Sequence, residues 1–161
     1  MSEVLVVVDH VDGAIRKPTF ELLALAKRLG EPAAVVFGGS DVASAAAEKL
    51  TSFGAEKIYV VDDAEIKGYL VAPKAEALAQ LVEKSSPAAV LLVSGYEGKE
   101  VAARLAIKTG SGLITDAVDV EEGGVTTIRI GASPAPHAEI LQFVQDNLAA
   151  AAGLELDITP Y

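Results

Sequence analysis

The chain has 161 residues, of which 51% are hydrophobic and 22% charged, and it carries a formal net charge of -10. That length suits one domain of the commonest size, and the composition excludes wholesale disorder. The acidic balance repels nucleic acid and anionic lipid surfaces, so neither is expected as a partner.

Cysteine is absent, and the two histidines, His10 and His137, lie far apart in sequence. Disulfides, thiolate catalysis and zinc or iron–sulfur ligation by cysteine are removed together. The amino-terminal run "MSEVLVVVDH" has no basic segment before it and is short, so it does not read as a signal peptide. No apolar run approaches the roughly 18 residues of a membrane span. The expectation is a cytoplasmic protein.

"EVLVVVD" (3–9) is a continuous β-branched run of the kind that parallel sheets bury on both faces. The polar turn "HVDGAIRK" follows, then Pro18 where a first helical turn tolerates proline. Leu22, Leu25, Ala26 and Leu29 recur at helical spacing up to Gly30, a natural stop. The unit then repeats. "AAVVF" (33–37) predicts a strand, and "GGSD" a turn with Ser40 or Asp41 as helix cap. "VASAAAEKLTSFG" predicts a helix closed by Gly54. "KIYVV" (57–61) is a third strand and "APKAEALAQLVEKSSP" a helix stopped near Pro87. "AAVLLVS" (88–94) is a fourth strand, "GKEVAARLAIKTGSG" a helix closed by Gly110, and "GLITDAVDV" a fifth strand.

Strands alternating with helices predict an α/β, Rossmann-like, mostly parallel sheet with helices on both faces and right-handed crossovers. The character changes after residue 120. "EEGG" is a turn signal, and 119–120 with 125–130 suggest a hairpin, giving an antiparallel edge near the C-terminus. "HAEILQFVQDNLAAAAG" reads as one amphipathic helix, and "LELDITPY" as a last edge strand. The expected organisation is a single α/β domain over 1–161, with a core over 1–120 and an atypical hairpin, helix and tail over 121–161.

Open parallel sheets bind ligands beyond the carboxyl ends of their strands, where helix N-termini present free N–H groups. In "SGYEGKE", Gly95 and Gly98 would let a phosphate approach the backbone and Lys99 would supply charge. The glycines are three apart and Glu100 follows the lysine, so neither the P-loop nor the dinucleotide fingerprint is met. A strand-to-helix turn is the simpler reading, and Gly95, Gly98 and Lys99 stand only as weak candidates for an anion or nucleotide turn. Asp9 and His10 end the first strand, but neighbours on a strand face opposite ways. Asp62, Asp63 and Glu65 read as a solvated acidic loop rather than an oxygen cage for a divalent ion. No Ser–His–Asp order and no G-x-S-x-G is present. No catalytic residue and no metal site is expected.

The stretches "EVLVVVDHVDGAIRKPTFELLALAKRLGEPAAVVFG", "GAEKIYVVDD" and "AAVLLVSGYEGKEVAARLAIKTGSGLITDAVDV" resemble the N-terminal domain of the electron-transfer flavoprotein α subunit, in a form similar to actinobacterial members. The most specific wording is that of Gly98–Asp116. The resemblance implies an adenine-nucleotide-hydrolase-like α/β fold and an electron-transfer component without a catalytic site of its own. It implies a scaffold in electron transfer from dehydrogenases of fatty acid and amino acid oxidation to the respiratory chain. The implied partner is the β subunit. FAD is held in the family complex mainly by a C-terminal α domain, and AMP often by the β subunit.

The glycine-rich flavin signatures of that C-terminal domain do not appear in this sequence, so FAD is not expected on this chain alone. Residues 121–124 also join two strands where the family places a hairpin. Two other readings stay open. One is a stand-alone module binding AMP or another adenine nucleotide. The other is an oligomerising interaction module, truncated or rebuilt at its C-terminus, that pairs as a homo-oligomer.

Overall fold

The computed structural model describes residues 2–11, 13–63, 66, 68–69, 71–117 and 119–120, and the backbone of 126–132 and 154–160. The chain divides into two compact units, Met1–Val120 and Glu121–Tyr161.

In the first unit, β1 (Glu3–Val7), β4 (Glu31–Phe37), β5 (Lys57–Val61) and β6 (Ala89–Leu91) form one parallel sheet in the order β5-β4-β1-β6. Between β1 and β4 lie the short antiparallel pair β2 (His10–Val11) and β3 (Ala14–Ile15) and the helix α1 (Lys17–Ala26). Helix α2 (Ser40–Ser52) joins β4 to β5, and α3 (Ala72–Ser85) joins β5 to β6. Helix α4 (Tyr96–Thr109) follows β6. The expected α/β, Rossmann-like sheet is therefore present.

The unbroken apolar character of β1 has its reason in this arrangement. Val4 pairs with Pro32 and Ala89, and Val6 with Ala34 and Leu91, so β1 is flanked on both sides. Its two faces are covered as well. Val4 and Val6 pack with Leu23 and Ala26 of α1 and Ala46 and Leu50 of α2. Leu5 packs on the opposite side with Ala75 and Leu78 of α3 and Val101 and Leu105 of α4. A strand enclosed on every side has no polar face to alternate with.

Local signals behave as chemistry demands. Pro18 sits in the first turn of α1, where no N–H is needed. Helix α3 ends with Ser86 in the left-handed region at φ 45, one residue before Pro87. Helix α4 ends on Gly110 at φ 65, a conformation glycine adopts without a Cβ clash. Gly30 is required for a different reason: a Cβ there would run into the Ser2 carbonyl oxygen. The backbone passes close to Ser2 because Glu31 N–H donates to that same oxygen at 3.0 Å as β4 begins.

Three expectations are corrected. The cap of α2 is Gly39, without a side-chain cap bond, rather than Ser40 or Asp41; Ser40 already lies inside the helix and its carbonyl accepts from Ser44 Oγ at 2.7 Å. Among the described residues of the expected fifth strand, 112–117 and 119–120 lie outside any strand, and 112–117 are exposed, with Asp116 at φ 57. The expected hairpin of 119–120 with 125–130 falls partly outside the described residues, and the antiparallel edge near the C-terminus is not present among those described. In the second unit β7 (Thr126–Ala132) pairs in parallel with β8 (Leu154–Pro160), from Thr126 with Leu154 to Ala132 with Pro160. A tight turn can join only antiparallel neighbours, and the two paired segments here are far apart in sequence. Among the described residues, the antiparallel pairing is β2 with β3. The expected amphipathic helix over 137–153 lies outside the described residues.

Candidate functional site at the sheet switch point

The strand order defines the crevice. From β1 the chain moves through β4 to β5, then crosses back to β6 on the other side of β1. The direction of winding reverses between β1 and β6. In open α/β sheets, the gap at the carboxyl ends of two such strands is where ligands bind. Here the gap is bounded by the residues after β1, Val8–His10, and those after β6, Leu92–Gly95.

The residues after β1 are committed to closing their own turn. Asp9 N–H donates to Thr19 Oγ1 at 2.9 Å, and Thr19 Oγ1 donates back to the Asp9 carbonyl at 3.3 Å. Thr19 is fully buried, so these bonds satisfy a hydroxyl that would otherwise be costly there. The Asp9 carboxylate faces Arg16 at 3.6 Å. His10 Nε2 donates to the Phe37 carbonyl at 2.9 Å, and Nδ1 accepts from Gly13 N–H at 3.4 Å. The imidazole thereby ties the β2–β3 turn to the end of β4. Both ring nitrogens are used, and neither points to proton transfer with Asp9.

The residues after β6 lead into α4: Gly95 precedes the helix, and Gly98 and Lys99 lie in its first turn. Gly95 is the N-cap of α4, extended at φ -106 and ψ 175, with no side-chain cap. Its N–H donates to Val93 O at 2.8 Å, and its carbonyl accepts the first helical bond from Lys99 N–H at 2.9 Å. A Cβ on Gly95 would meet nothing within 4 Å. Gly98 is the opposite case: a Cβ there would strike the Val93 carbonyl oxygen and lie 3.2 Å from its carbon. The need for glycine at 98 thus comes from helix-on-strand packing.

Lys99 Nζ lies 2.7 Å from Asp116 Oδ1, and Ser94 Oγ donates to the same oxygen at 2.8 Å. Lys99, and after it Ser94, hold the Asp116 carboxyl below its ordinary range. The three candidate residues are brought together in one turn, with the lysine charge answered by a carboxylate of the chain itself. Glu97 pairs with Lys74, and Glu100 with Arg104 at 2.9 Å, adding acid to the same helix. Sequence reasoning did not single out Asp116; its place six residues beyond the helix stop carried no local signal of contact with Ser94.

Elsewhere, Gly38 N–H donates to Val61 O at 3.1 Å and closes "GGSD" onto the end of β5. Among the described residues no three His, Asp or Glu side chains are placed to hold a metal ion. Glu65 and His137 lie outside the described residues. No described helix is long and apolar enough to cross a membrane.

The fold and its crevice define a Rossmann-like α/β domain. A family model described as "Electron transfer flavoprotein domain" matches residues 4–135, and the chain belongs to that family. The chain is 49% identical over 125 residues to the electron transfer flavoprotein subunit alpha of Mycobacterium tuberculosis (strain CDC 1551 / Oshkosh), covering 78% of this chain and 39% of that protein. The corresponding subunit of Mycobacterium leprae is 47% identical, with the same 78% and 39% coverage. That of Syntrophomonas wolfei is 39% identical, covering 75% of this chain and 38% of the relative. The chain thus spans about two fifths of the length of the curated relatives it matches. A solved structure, protein Rv1636 from Mycobacterium tuberculosis H37Rv, aligns at a TM-score of 0.35 and 14% identity over 73% of this chain and 96% of that one.

Proposed function

We propose that this chain is the amino-terminal scaffold portion of an electron-transfer flavoprotein α subunit. It acts in electron transfer from dehydrogenases of fatty acid and amino acid oxidation toward the respiratory chain, without a catalytic site of its own. The observation that carries this reading is the 49% identity to an α subunit across 78% of the chain but only 39% of the relative. The partner proposed is a β subunit, and the compartment the cytoplasm.

FAD belongs to the complex rather than to this chain. Its diphosphate needs donors or cations with charge to spare, and at the switch point Lys99 and Ser94 are both engaged by Asp116. The residues present there do not fit that group. His10 uses both ring nitrogens in contacts with the chain and Asp9 faces Arg16, which supports a structural role for this pair.

The test is an absorbance spectrum of the purified chain combined with co-purification against a tagged β subunit. The expected result is colourless protein that co-purifies with β. Flavin absorbance in the chain alone would overturn the assignment of FAD to the rest of the complex. Failure to associate with β, together with a melting temperature raised by AMP, would replace the scaffold with an adenine-nucleotide module, because a ligand of the folded state alone stabilises it.

A further inference from the structure

We propose that His10 is a proton-sensitive latch: its neutral ring holds the tip of the β2–β3 turn, and its protonated ring releases that tip while staying bound to the end of β4.

Hydrogen-bond geometry fixes the resting state of the ring. Gly13 N–H can only donate, so Nδ1, which receives it at 3.4 Å, carries no proton. Nε2 faces the Phe37 carbonyl at 2.9 Å, an acceptor, and therefore carries the hydrogen. The ring is neutral, with one nitrogen donating and the other accepting. An imidazolium donates from both nitrogens. Its bond from Nε2 to Phe37 survives, but Nδ1–H would then face Gly13 N–H, donor against donor. The ring stays and the tip must leave it.

The turn is built so that its tip alone is freed. Its base is closed by Arg16 N–H on the Asp9 carbonyl at 2.9 Å and by the bonds between Asp9 and Thr19, none of which involves the ring. Above the base, His10 pairs with Ile15 and Val11 with Ala14, a two-stranded ribbon too short to hold itself. Gly13 sits at the tip at φ 82, with Val42 as the nearest neighbour a Cβ there would meet, at 3.9 Å. Val11 is 50% exposed. The charged groups around the latch are Asp9 and Arg16, which face each other at 3.6 Å, Lys74 of α3 over the Phe37 ring at 5.8 Å, and Asp41 and Asp62 beside Gly39. His10 follows directly on the end of β1 that bounds the switch-point crevice, so its proton sets how firmly that border is held. The proposal concerns only this chain's own conformation and stands whether or not the scaffold assignment holds.

Nuclear magnetic resonance on the full chain tests it at about pH 8 and about pH 5, the range over which histidine changes charge. Imidazole nitrogen signals at the higher pH are expected to show hydrogen on Nε2 and none on Nδ1 of His10. At the lower pH both nitrogens should carry hydrogen. The exchange protection of the Gly13 amide, corrected for the intrinsic effect of pH, should then fall at least about tenfold, with β1 and β4 amides unchanged. His10→Gln offers a donor and an acceptor that do not titrate, and should abolish the pH effect at Gly13; His137→Gln should retain it. A neutral ring with hydrogen on Nδ1, a ring still neutral at the lower pH, or Gly13 protection equal at both values would overturn the proposal. So would the same fall in His10→Gln, or a fall shared equally by β1 and β4. Should His10→Gln fail to fold, the wild-type ring signals and the Gly13 amide decide alone.

Discussion

Replacing Gly98 by alanine separates two explanations of the same glycine. In an ordinary helix interior, Gly→Ala stabilises by about 0.5–1 kcal/mol because the unfolded chain loses freedom and the helix gains propensity. At Gly98 the added methyl would collide with the Val93 carbonyl oxygen, a backbone atom that cannot swing away. Either α4 lifts from the end of β6 or the Val93 peptide tilts. Such overpacking costs about 1–3 kcal/mol. The net expectation is destabilisation by roughly 0.5–2 kcal/mol, lowering Tm by a few degrees for a domain of this size. The assay is thermal and urea unfolding of Gly98→Ala beside wild type, with m-values compared to check that the same surface is exposed. A stabilised Gly98→Ala would refute the packing argument and return the glycine to the candidate phosphate turn.

Gly95→Ser should behave in the opposite way, gaining a few tenths of a kcal/mol in the same unfolding assay, because it supplies the side-chain cap α4 lacks in open space. Thr19→Val keeps the shape but strips the hydroxyl that Asp9 N–H uses, and a loss of about 1–3 kcal/mol by urea unfolding is expected from the stranded donor. Leu5→Ala should cost about 2–5 kcal/mol, since Leu5 is fully buried in the layer beneath α3 and α4. A pH effect follows from Glu3, whose carboxyl is held below its ordinary range by Lys57 and, more weakly, by Tyr59 OH at 2.9 Å. The stability it contributes is fully present above the unfolded value of about 4.3 and is lost as pH falls through the lower folded value. Glu3→Gln should therefore destabilise at pH 7, and its difference from wild type should shrink as pH falls below the ordinary carboxylate range, measured by thermal melts across that range.

Helix α4 and its stop at Gly110 were legible because hydrophobic spacing and a left-handed glycine are local properties. The passage from β6 into α4 at Gly95 was legible as a strand-to-helix turn for the same reason. What governs its chemistry was not. Asp116 reaches Ser94 across 22 residues, and no spacing rule connects them. The role of Thr19 was hidden likewise: an interior helical threonine reads as neutral until Asp9 is seen above it. His10 was expected in a polar turn but begins β2, and its bond to Phe37 depends on β4 lying beside β1.

The sequence by itself determined the alternation of strands and helices, the buried character of β1 and the family wording, since these rest on residue type and near-neighbour periodicity. Tertiary structure alone decided the order β5-β4-β1-β6, and hence where the crevice falls, because strand neighbours are chosen by helix packing on both faces. It also decided that 112–117 leaves the sheet and that β7 meets β8 in parallel. A β-branched run states only that it can be a strand. Whether it pairs depends on which edge is open and on what else its side chains can bind, and Asp116 binds Ser94 and Lys99.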